Sequence, residues 1–296
     1  MFTEKDINQI HDKGITLDQV NAQINRLKNG MTHSDLLSAA TINRGIHAFE
    51  DDEVMHIIKL YEAEKEQLNI VKFVPASGAA TRMFKFLFQF LKRFNTAKDD
   101  VKKYVEKYGD ALIESFIANL KEFPFYDEVM HKIKEKIPNF NNLTEEEKYY
   151  QFVKTMLDEN GLNYSFYPKG LLPFHKYGDT YITAFEEHLY EATLYASSKG
   201  TANLHFTVSE KHHDYFLKEL NKIKSRLEDT TKVTFNVSFS YQKEATETLA
   251  LTKNDTVFRN EDGSILFRPG GHGALLENLN DLDADIVFIK NIDNIV

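Results

Sequence analysis

The sequence predicts an α/β protein with a mostly parallel central sheet, flanking helices, an N-terminal helical region and a helical insertion. Short apolar, β-branched runs alternate with helical patterns in the last third of the chain, which is typical of βαβ units. The 296 residues are 42% hydrophobic and 27% charged, the composition of an ordinary globular protein. We therefore expect a helical region over residues 1–70 and an α/β domain over 71–296, with the insertion at about 84–160.

The first 70 residues carry the pattern of short amphipathic helices. Thr16 is a suitable N-cap, and Gly30 favours a helix end. Apolar residues repeat at helical spacing between them, at Leu17, Val20, Ile24 and Leu27. A further helix is predicted from Glu53 to Tyr61, and the charged, periodic stretch 84–160 predicts a solvated helical subdomain.

Strands are predicted where apolar and β-branched residues cluster, at 70–75, 203–208, 233–239, 265–267 and 285–289. Helices are predicted over 180–195 and 209–227. The run 286–289 is so apolar that we expect a central strand, covered on both faces. In an open α/β sheet, ligands bind beyond the carboxyl ends of the strands, so the residues after each strand are the candidates for function.

Charge and composition exclude several classes of protein. Lys and Arg number 36 against 45 Asp and Glu, and the net charge of −9 argues against a general nucleic-acid partner. Cysteine is absent, which excludes disulfides, thiolate zinc sites and thiol nucleophiles. No apolar stretch reaches the roughly 18 residues that a membrane span needs. We expect a cytoplasmic protein that binds neither nucleic acid nor membranes, and the sequence leaves its oligomeric state open.

The first candidate site is the small-residue loop after the strand 70–75. Residues 76–82 read Ala-Ser-Gly-Ala-Ala-Thr-Arg, so backbone N–H groups can approach a phosphate closely and Arg82 can clamp it. Neither the Walker spacing nor the G-x-G-x-x-G pattern is present. A purely structural turn is the alternative interpretation.

Two further motifs lie in turns. Lys169 stands between Pro168 and Gly170 on a stiff turn, where it is either a fixed positive charge for phosphate or a solvated lysine. Residues 269–273 place three glycines around His272, which favours a loop that admits a flat ligand against bare backbone.

The fourth motif follows the last predicted strand. Asp293 lies at its carboxyl end, between Asn291 and Asn294. An aspartate there suits Mg²⁺, which takes one or two carboxylates and completes its shell with water and phosphate. Asp is also a common strand-ending residue. The adjacent His212 and His213 point in different directions on a helix, so no zinc site is predicted.

Taken together, these motifs resemble the eukaryotic-type UDP-sugar pyrophosphorylases of the nucleotidyltransferase superfamily. Residues 76–83 resemble the signature G-G-x-G-T-R-[LM], and residues 167–170 resemble the family's Pro-Lys-Gly. Residues 239–242 are similar to an F-x-Q segment, 269–273 to P-x-G-[HN]-G and 291–294 to N-x-D-N. The chain is also similar to an uncharacterised bacterial family, DUF4301, which looks like a divergent branch of that superfamily.

The resemblance implies the nucleotide-diphospho-sugar transferase fold and a reaction. A nucleoside triphosphate, UTP above all, would transfer its nucleotidyl group to a sugar 1-phosphate and release pyrophosphate. Arg82 and Lys169 would be the catalytic residues that hold the phosphates, and Asp293 would bind Mg²⁺. The nucleotide-binding residues would be Ser77, Gly78, Ala79, Ala80 and Thr81 at the phosphates, Gln242 and Gly271 at the base, and His272 and Gly273 near the ribose or α-phosphate.

Departures from the family pattern keep alternatives open. Ala76, Ser77 and Ala80 stand where the family has glycines, and the segment between Arg82 and Lys169 is unusually long. The family continues past the metal segment into a sugar-binding half, so we expect the domain to extend beyond residue 296. Residues 1–296 alone would then be inactive, with apolar surface open near Ile286, Phe288 and Ile292. The alternatives are a nucleotide- or nucleotide-sugar-binding module without turnover, and a helical interaction protein.

Overall fold

A computed structural model describes residues 2–31, 33–178 and 180–295. It shows an α/β protein with a mixed sheet. The chain divides into two compact units. The first comprises Met1–Val71 and Ser240–Val287, and the second comprises Lys72–Phe239 and Phe288–Val296. None of the helices in the described part of the chain is long and apolar enough to cross a bilayer.

Helices and strands alternate along much of the chain. Helices α1 to α11 span Glu4–Asp12, Leu17–Asn29, Asp51–Glu64, Lys85–Arg93, Val101–Tyr108, Ala111–Ala118, Tyr126–Lys136, Glu145–Leu157, Ala184–Tyr195, His213–Thr231 and Leu276–Asn280. Strands β1 to β11 span Thr41–Ile42, Gly45–Ile46, Ile70–Pro75, His175–Tyr177, Thr180–Ile182, Ser197–Ser198, Thr201–Thr207, Thr234–Ser240, Thr248–Leu249, Phe267–Arg268 and Ile286–Ile289.

Helix α2 begins and ends where the sequence predicts. The Thr16 hydroxyl accepts a hydrogen bond from the backbone N–H of Gln19, whose side chain accepts one from the N–H of Thr16. This reciprocal capping fixes the start of α2. Gly30 follows its last residue with φ of +77°, a conformation that favours glycine.

The larger sheet has the strand order β11-β3-β7-β6, and β8 also pairs with β7. Strands β6 and β7 are antiparallel, which makes the sheet mixed. The N–H groups of Lys290 and Ile292 donate to the carbonyls of Phe73 and Pro75, so the chain after β11 runs in the same direction as β3. The predicted strand 265–267 is reduced to β10, which pairs with β9 outside this sheet.

The expectation of a central strand at 286–289 is wrong, because β11 is the last strand in the sheet order. Ile286 and Phe288 are half-buried at this edge. Ile292, predicted to lie near open apolar surface, is only 3% exposed, and it packs against Gly170.

The segment 84–160 contains five of these helices, α4 to α8, around an aromatic core. The rings of Phe90, Phe94 and Tyr104 lie within 6 Å of one another, and Tyr126 stacks on Phe152. Buried aromatic area of this kind supplies most of the hydrophobic stabilisation of a small helical cluster.

The first unit has its own small core and an ion pair with a buried carboxylate. Ile10, Val20 and Leu249 belong to its buried apolar cluster. Both Asp6 carboxylate oxygens accept hydrogen bonds from the Arg259 guanidinium, at 2.6 and 2.9 Å. This pairing holds the pKa of Asp6 well below its usual range, although burial opposes the shift.

We expect Arg259→Ala to lower the free energy of unfolding by about 1–2 kcal/mol, because it leaves the buried Asp6 charge without its main partner. The loss is smaller than for a fully buried pair because the Arg259 side chain is 38% exposed. Urea unfolding at pH 7 measures it, with the exposed Arg26→Ala in the same unit as the control. Because the folded-state pKa of Asp6 is lowered, its stabilisation is complete above about pH 4 and is lost progressively as the pH falls from there towards the lowered folded-state pKa. The stability difference between the two proteins should therefore shrink as the pH falls below about 4, and a difference that stays constant down to about pH 2 would contradict this origin.

Candidate functional site

The loop after β3 leaves the sheet at once and exposes its central residues. The backbone N–H of buried Ala76 donates to the Thr207 carbonyl at the end of β7. Ser77 and Gly78 are exposed. A three-residue turn of 3₁₀-helix, Ala80–Arg82, follows, so α4 begins only at Lys85.

Backbone hydrogen bonds join this loop to the Pro-Lys-Gly turn. The Lys169 N–H donates to the Gly78 carbonyl at 3.1 Å, and the Ala80 N–H donates to the Tyr167 carbonyl at 3.4 Å. Ala79 and Pro168 thereby form an isolated antiparallel bridge. Two motifs separated by the helical segment in sequence are neighbours in the second unit.

The loop keeps free groups that suit an anion. The backbone N–H groups of Ser77, Gly78 and Ala79 donate no hydrogen bond to any residue that the structure describes. Arg82 is exposed and forms no ion pair with residues 2–31, 33–178 or 180–295. Thr81 beside it is also exposed. Free backbone N–H groups and an unpaired guanidinium are the kinds of donor that bind phosphate oxygens.

Asp293 joins the same group of residues. Its Oδ2 atom lies 2.6 Å from the Nζ atom of Lys169, and the two side chains are 51% and 32% exposed. Of the candidate residues in the second unit, the structure therefore brings the loop 77–82, Lys169 and Asp293 together.

Asp293 is positioned by the buried residue before it. The Ile292 N–H donates to the Pro75 carbonyl at 3.2 Å, and the Ile292 carbonyl lies 3.2 Å from Nε2 of buried His188 on α9. A methyl group on Gly170 would lie 2.8 Å from Cγ1 of Ile292. Glycine at position 170 thus allows the Lys169 turn to pack directly on Ile292, the residue before Asp293.

A cluster of charges lies behind Ile292. The Nζ atom of fully buried Lys72 lies 2.7 Å from Glu191 and 3.1 Å from the His188 carbonyl, and Lys290 pairs with the other oxygen of Glu191. Burial lowers the pKa of Lys72 to about 8, against the opposing effect of Glu191. Burial, helped by the Lys72 charge, lowers the pKa of His188 to about 3. His188 is therefore neutral at pH 7, with its proton on Nε2 facing Ile292.

The remaining candidates belong to the first unit. Gln242 donates from Nε2 to Thr246 Oγ1 at 3.0 Å, and a methyl group on Gly270 would lie 3.7 Å from the same nitrogen. Gly271, His272 and Gly273 are exposed. Gln242 and the glycine loop therefore adjoin one another within the first unit.

The resemblance implies a bound Mg²⁺, and one residue of the site, Asp293, fits this ion. Asp293 offers a half-exposed carboxylate, which suits an ion that draws its other ligands from water and phosphate. No group of three His, Asp or Glu side chains suitable for a metal occurs among the described residues. Asp293 is thus the carboxylate that could hold such an ion.

Sequence reasoning missed His188 and the role of Gly170. His188 lies in an unremarkable helical pattern, and its contact with Ile292 is 104 residues away in sequence. Gly170 was interpreted only as part of a turn. The apolar Ile292 before Asp293 is a signal that could have found Gly170, because a buried side chain there needs a small residue to pack on it.

The fold and these residues define an α/β protein with an exposed, anion-compatible loop at the end of a buried strand. The chain belongs to the family described as a domain of unknown function, DUF4301, which matches residues 3–296. It matches no curated protein and no solved structure.

We expect Gly170→Ala to lower the free energy of unfolding by about 1–3 kcal/mol, because the new methyl group overpacks against Ile292. The cost should shrink when Ile292 is already alanine, and the double-mutant cycle in urea unfolding measures this coupling. Gly78→Ala is the matched control, since a methyl group there meets nothing within 4 Å and should change stability by less than about 0.5 kcal/mol. Additive effects at 170 and 292 would rule out the proposed contact.

The pH dependence of stability should report on His188. Its folded-state pKa lies below the unfolded value, so its contribution to stability is present above about pH 6.5 and is lost as the pH falls towards 3. Between pH 6.5 and 5 the wild-type protein should lose up to about 2 kcal/mol more than His188→Gln. The comparison cancels His212, whose pKa is also lowered by burial. Parallel urea-stability profiles for the two proteins would show that His188 is not buried as described.

Proposed function

We propose that the protein is nucleotidyltransferase-like and binds a nucleoside triphosphate, with UMP transfer from UTP to a sugar 1-phosphate as its reaction. One observation carries the proposal. The backbone bonds between Gly78–Ala80 and Tyr167–Lys169, with Lys169 against Asp293, unite three motifs that the resemblance assigns to one phosphate site. A nucleotidyltransferase needs these motifs together, whereas three unrelated turns do not.

The second unit would supply the phosphate contacts. The free amides of Ser77, Gly78 and Ala79 would donate to phosphate oxygens, with Arg82 and Lys169 contributing two positive charges. Thr81 is exposed beside Arg82 and would add a hydroxyl donor. The amides of Ala76 and Ala80 are already bonded within the protein and would not take part.

The proposed reaction asks the chain mainly for positioning and charge neutralisation. A phosphate oxygen of the sugar 1-phosphate attacks the α-phosphorus of UTP. The bond from the α-phosphorus to the bridging oxygen breaks, and that oxygen leaves with pyrophosphate. Arg82 and Lys169 would hold the charge that moves onto the leaving group. Asp293 would hold Mg²⁺, which supplies further neutralisation of phosphate charge when bound.

The resemblance assigns the base and ribose contacts to a further set of residues. Gln242 and Gly271 would read the base, and His272 and Gly273 would lie near the ribose or α-phosphate. The proximity of Gln242 to the glycine loop supports this assignment. We further propose that DUF4301 is a divergent branch of the UDP-sugar pyrophosphorylase superfamily, with a variant of its mostly parallel sheet.

A nucleotide-binding module without turnover is the second candidate. The engaged amides of Ala76 and Ala80 favour it, because they leave a shorter cradle than a loop of glycines whose N–H groups all face the ligand. Thermal stabilisation by a nucleotide, without release of pyrophosphate, would identify the protein as such a binding module.

We expect Arg82→Ala and Lys169→Ala each to abolish most of the thermal stabilisation by UTP with Mg²⁺, because each removes a cation from the phosphate site. For the wild-type protein, a ligand at 100 times its Kd should add about 2.7 kcal/mol of stability. The melting temperature without ligand should barely change, since Arg82 is exposed and the Lys169 pair is near the surface.

Lys98→Ala, an exposed lysine of the same unit, is the control and should keep the full shift. ATP, CTP, GTP and UDP-sugars belong in the same thermal-shift panel, and a pyrophosphate assay separates binding from turnover. Full stabilisation in both variants would remove Arg82 and Lys169 from the site, and no shift with any nucleotide would refute the proposed function.

A further inference from the structure

The ion pair between Lys169 and Asp293 conflicts with the roles proposed for the two residues, because each is paired with the other instead of with its ligand. Lys169 is to hold phosphate and Asp293 a cation, yet their charged atoms are 2.6 Å apart. Within the described ranges, Asp293 is the only acidic side chain that pairs with Lys169. A phosphate that binds Lys169 must therefore compete with a carboxylate already in place.

We infer that this pair is a latch: Asp293 withholds Lys169 from phosphate until Asp293 coordinates a cation. For its ligand the inference rests on the proposed function, which it deepens by coupling the two binding events. With the latch closed, only Arg82 of the two cations is available to a phosphate. Once Asp293 has turned to a cation, both are available. By reciprocity, phosphate on Lys169 would raise the affinity of Asp293 for the cation by the same factor.

The surroundings distinguish this pair from an ordinary surface contact between two flexible side chains. The backbone of Lys169 is fixed by its bond to Gly78 and by the close packing of Gly170 on Ile292. The backbone of Asp293 is fixed by the two hydrogen bonds of Ile292. Both partners are thus presented to one another at little entropic cost, so the pair persists without a ligand.

Metal-free binding measurements on a double-mutant cycle test the latch. Wild type, Asp293→Asn, Lys169→Met and the double variant are titrated with UTP in EDTA by calorimetry. In the wild-type background, Asp293→Asn should tighten UTP binding about two- to fivefold, the range expected for a partly exposed ion pair. In the Lys169→Met background the gain should vanish. An equal gain in both backgrounds would show simple repulsion of phosphate by Asp293 and would overturn the latch.

A second measurement needs no nucleotide. Trace acetylation of the full chain, read by peptide mass spectrometry, reports how available each lysine is, because an ion-paired ammonium reacts slowly. Lys169 should react about two- to fivefold faster in Asp293→Asn, and in the wild-type protein when Mg²⁺ is added. Lys103, paired with Asp100 in the same unit, is the control and should not change in Asp293→Asn.

The two measurements separate the latch from the proposed function. Unchanged Lys169 reactivity in Asp293→Asn would overturn the latch, even if UTP binds normally. Raised reactivity in that variant, with no UTP binding by any of the four proteins, would support the latch and refute the proposed function.

Discussion

The burial of Ile292 is the constraint on which the candidate site depends. Its side chain occupies the space over Gly170, its N–H bonds to the end of β3, and its carbonyl faces the neutral ring of His188. These three contacts fix the backbone on either side of the site. The Lys169 turn is also held by its backbone bonds to the loop, whereas the position of Asp293 beside it depends on the burial of Ile292.

The charges behind Ile292 depend on that same packing. Lys72 is fully buried on a strand, where an isolated ammonium would be very costly, and it is tolerated because Glu191 and the His188 carbonyl take its hydrogen bonds. The proximity of Lys72 in turn helps to keep His188 neutral. A neutral His188 carries one proton, and with that proton on Nε2 it donates to Ile292 without adding charge to the buried surroundings.

The sequence predicts the local elements well where one short pattern decides them. The capping pair of Thr16 and Gln19 and the apolar run of β3 are readable because a few neighbouring residues determine the conformation. The position of β11 at the sheet edge was not readable, since apolar composition reports burial and not strand order. The predicted strand at 265–267 failed for a related reason: its apolar residues pack in a separate small cluster with Ile10 and Val20.

The sequence predicts the individual residues of the candidate site, but it does not predict that they lie close together. Residue types and glycines singled out the loop 77–82, Lys169 and Asp293 because phosphate and metal chemistry restrict which side chains can serve. Their juxtaposition depends on hydrogen bonds between residues about 90 and more than 120 positions apart, which no local pattern encodes. His188 escaped notice because a buried histidine has no distinctive spacing.

Glu191 is shared by Lys72 and Lys290, so these three side chains together carry one positive charge, although the buried Glu187 also acts on Lys72. Lys290 is only three residues from Asp293, a chain reach of about 10 Å, so an anion bound at the loop as proposed would interact with that charge partly through protein rather than water. The chain as a whole carries −9 and repels the same anion from afar. For such an anion, ionic strength would act in opposite directions on association and dissociation. Added salt would screen the long-range repulsion and speed association, and it would weaken the contact with the cations and speed dissociation.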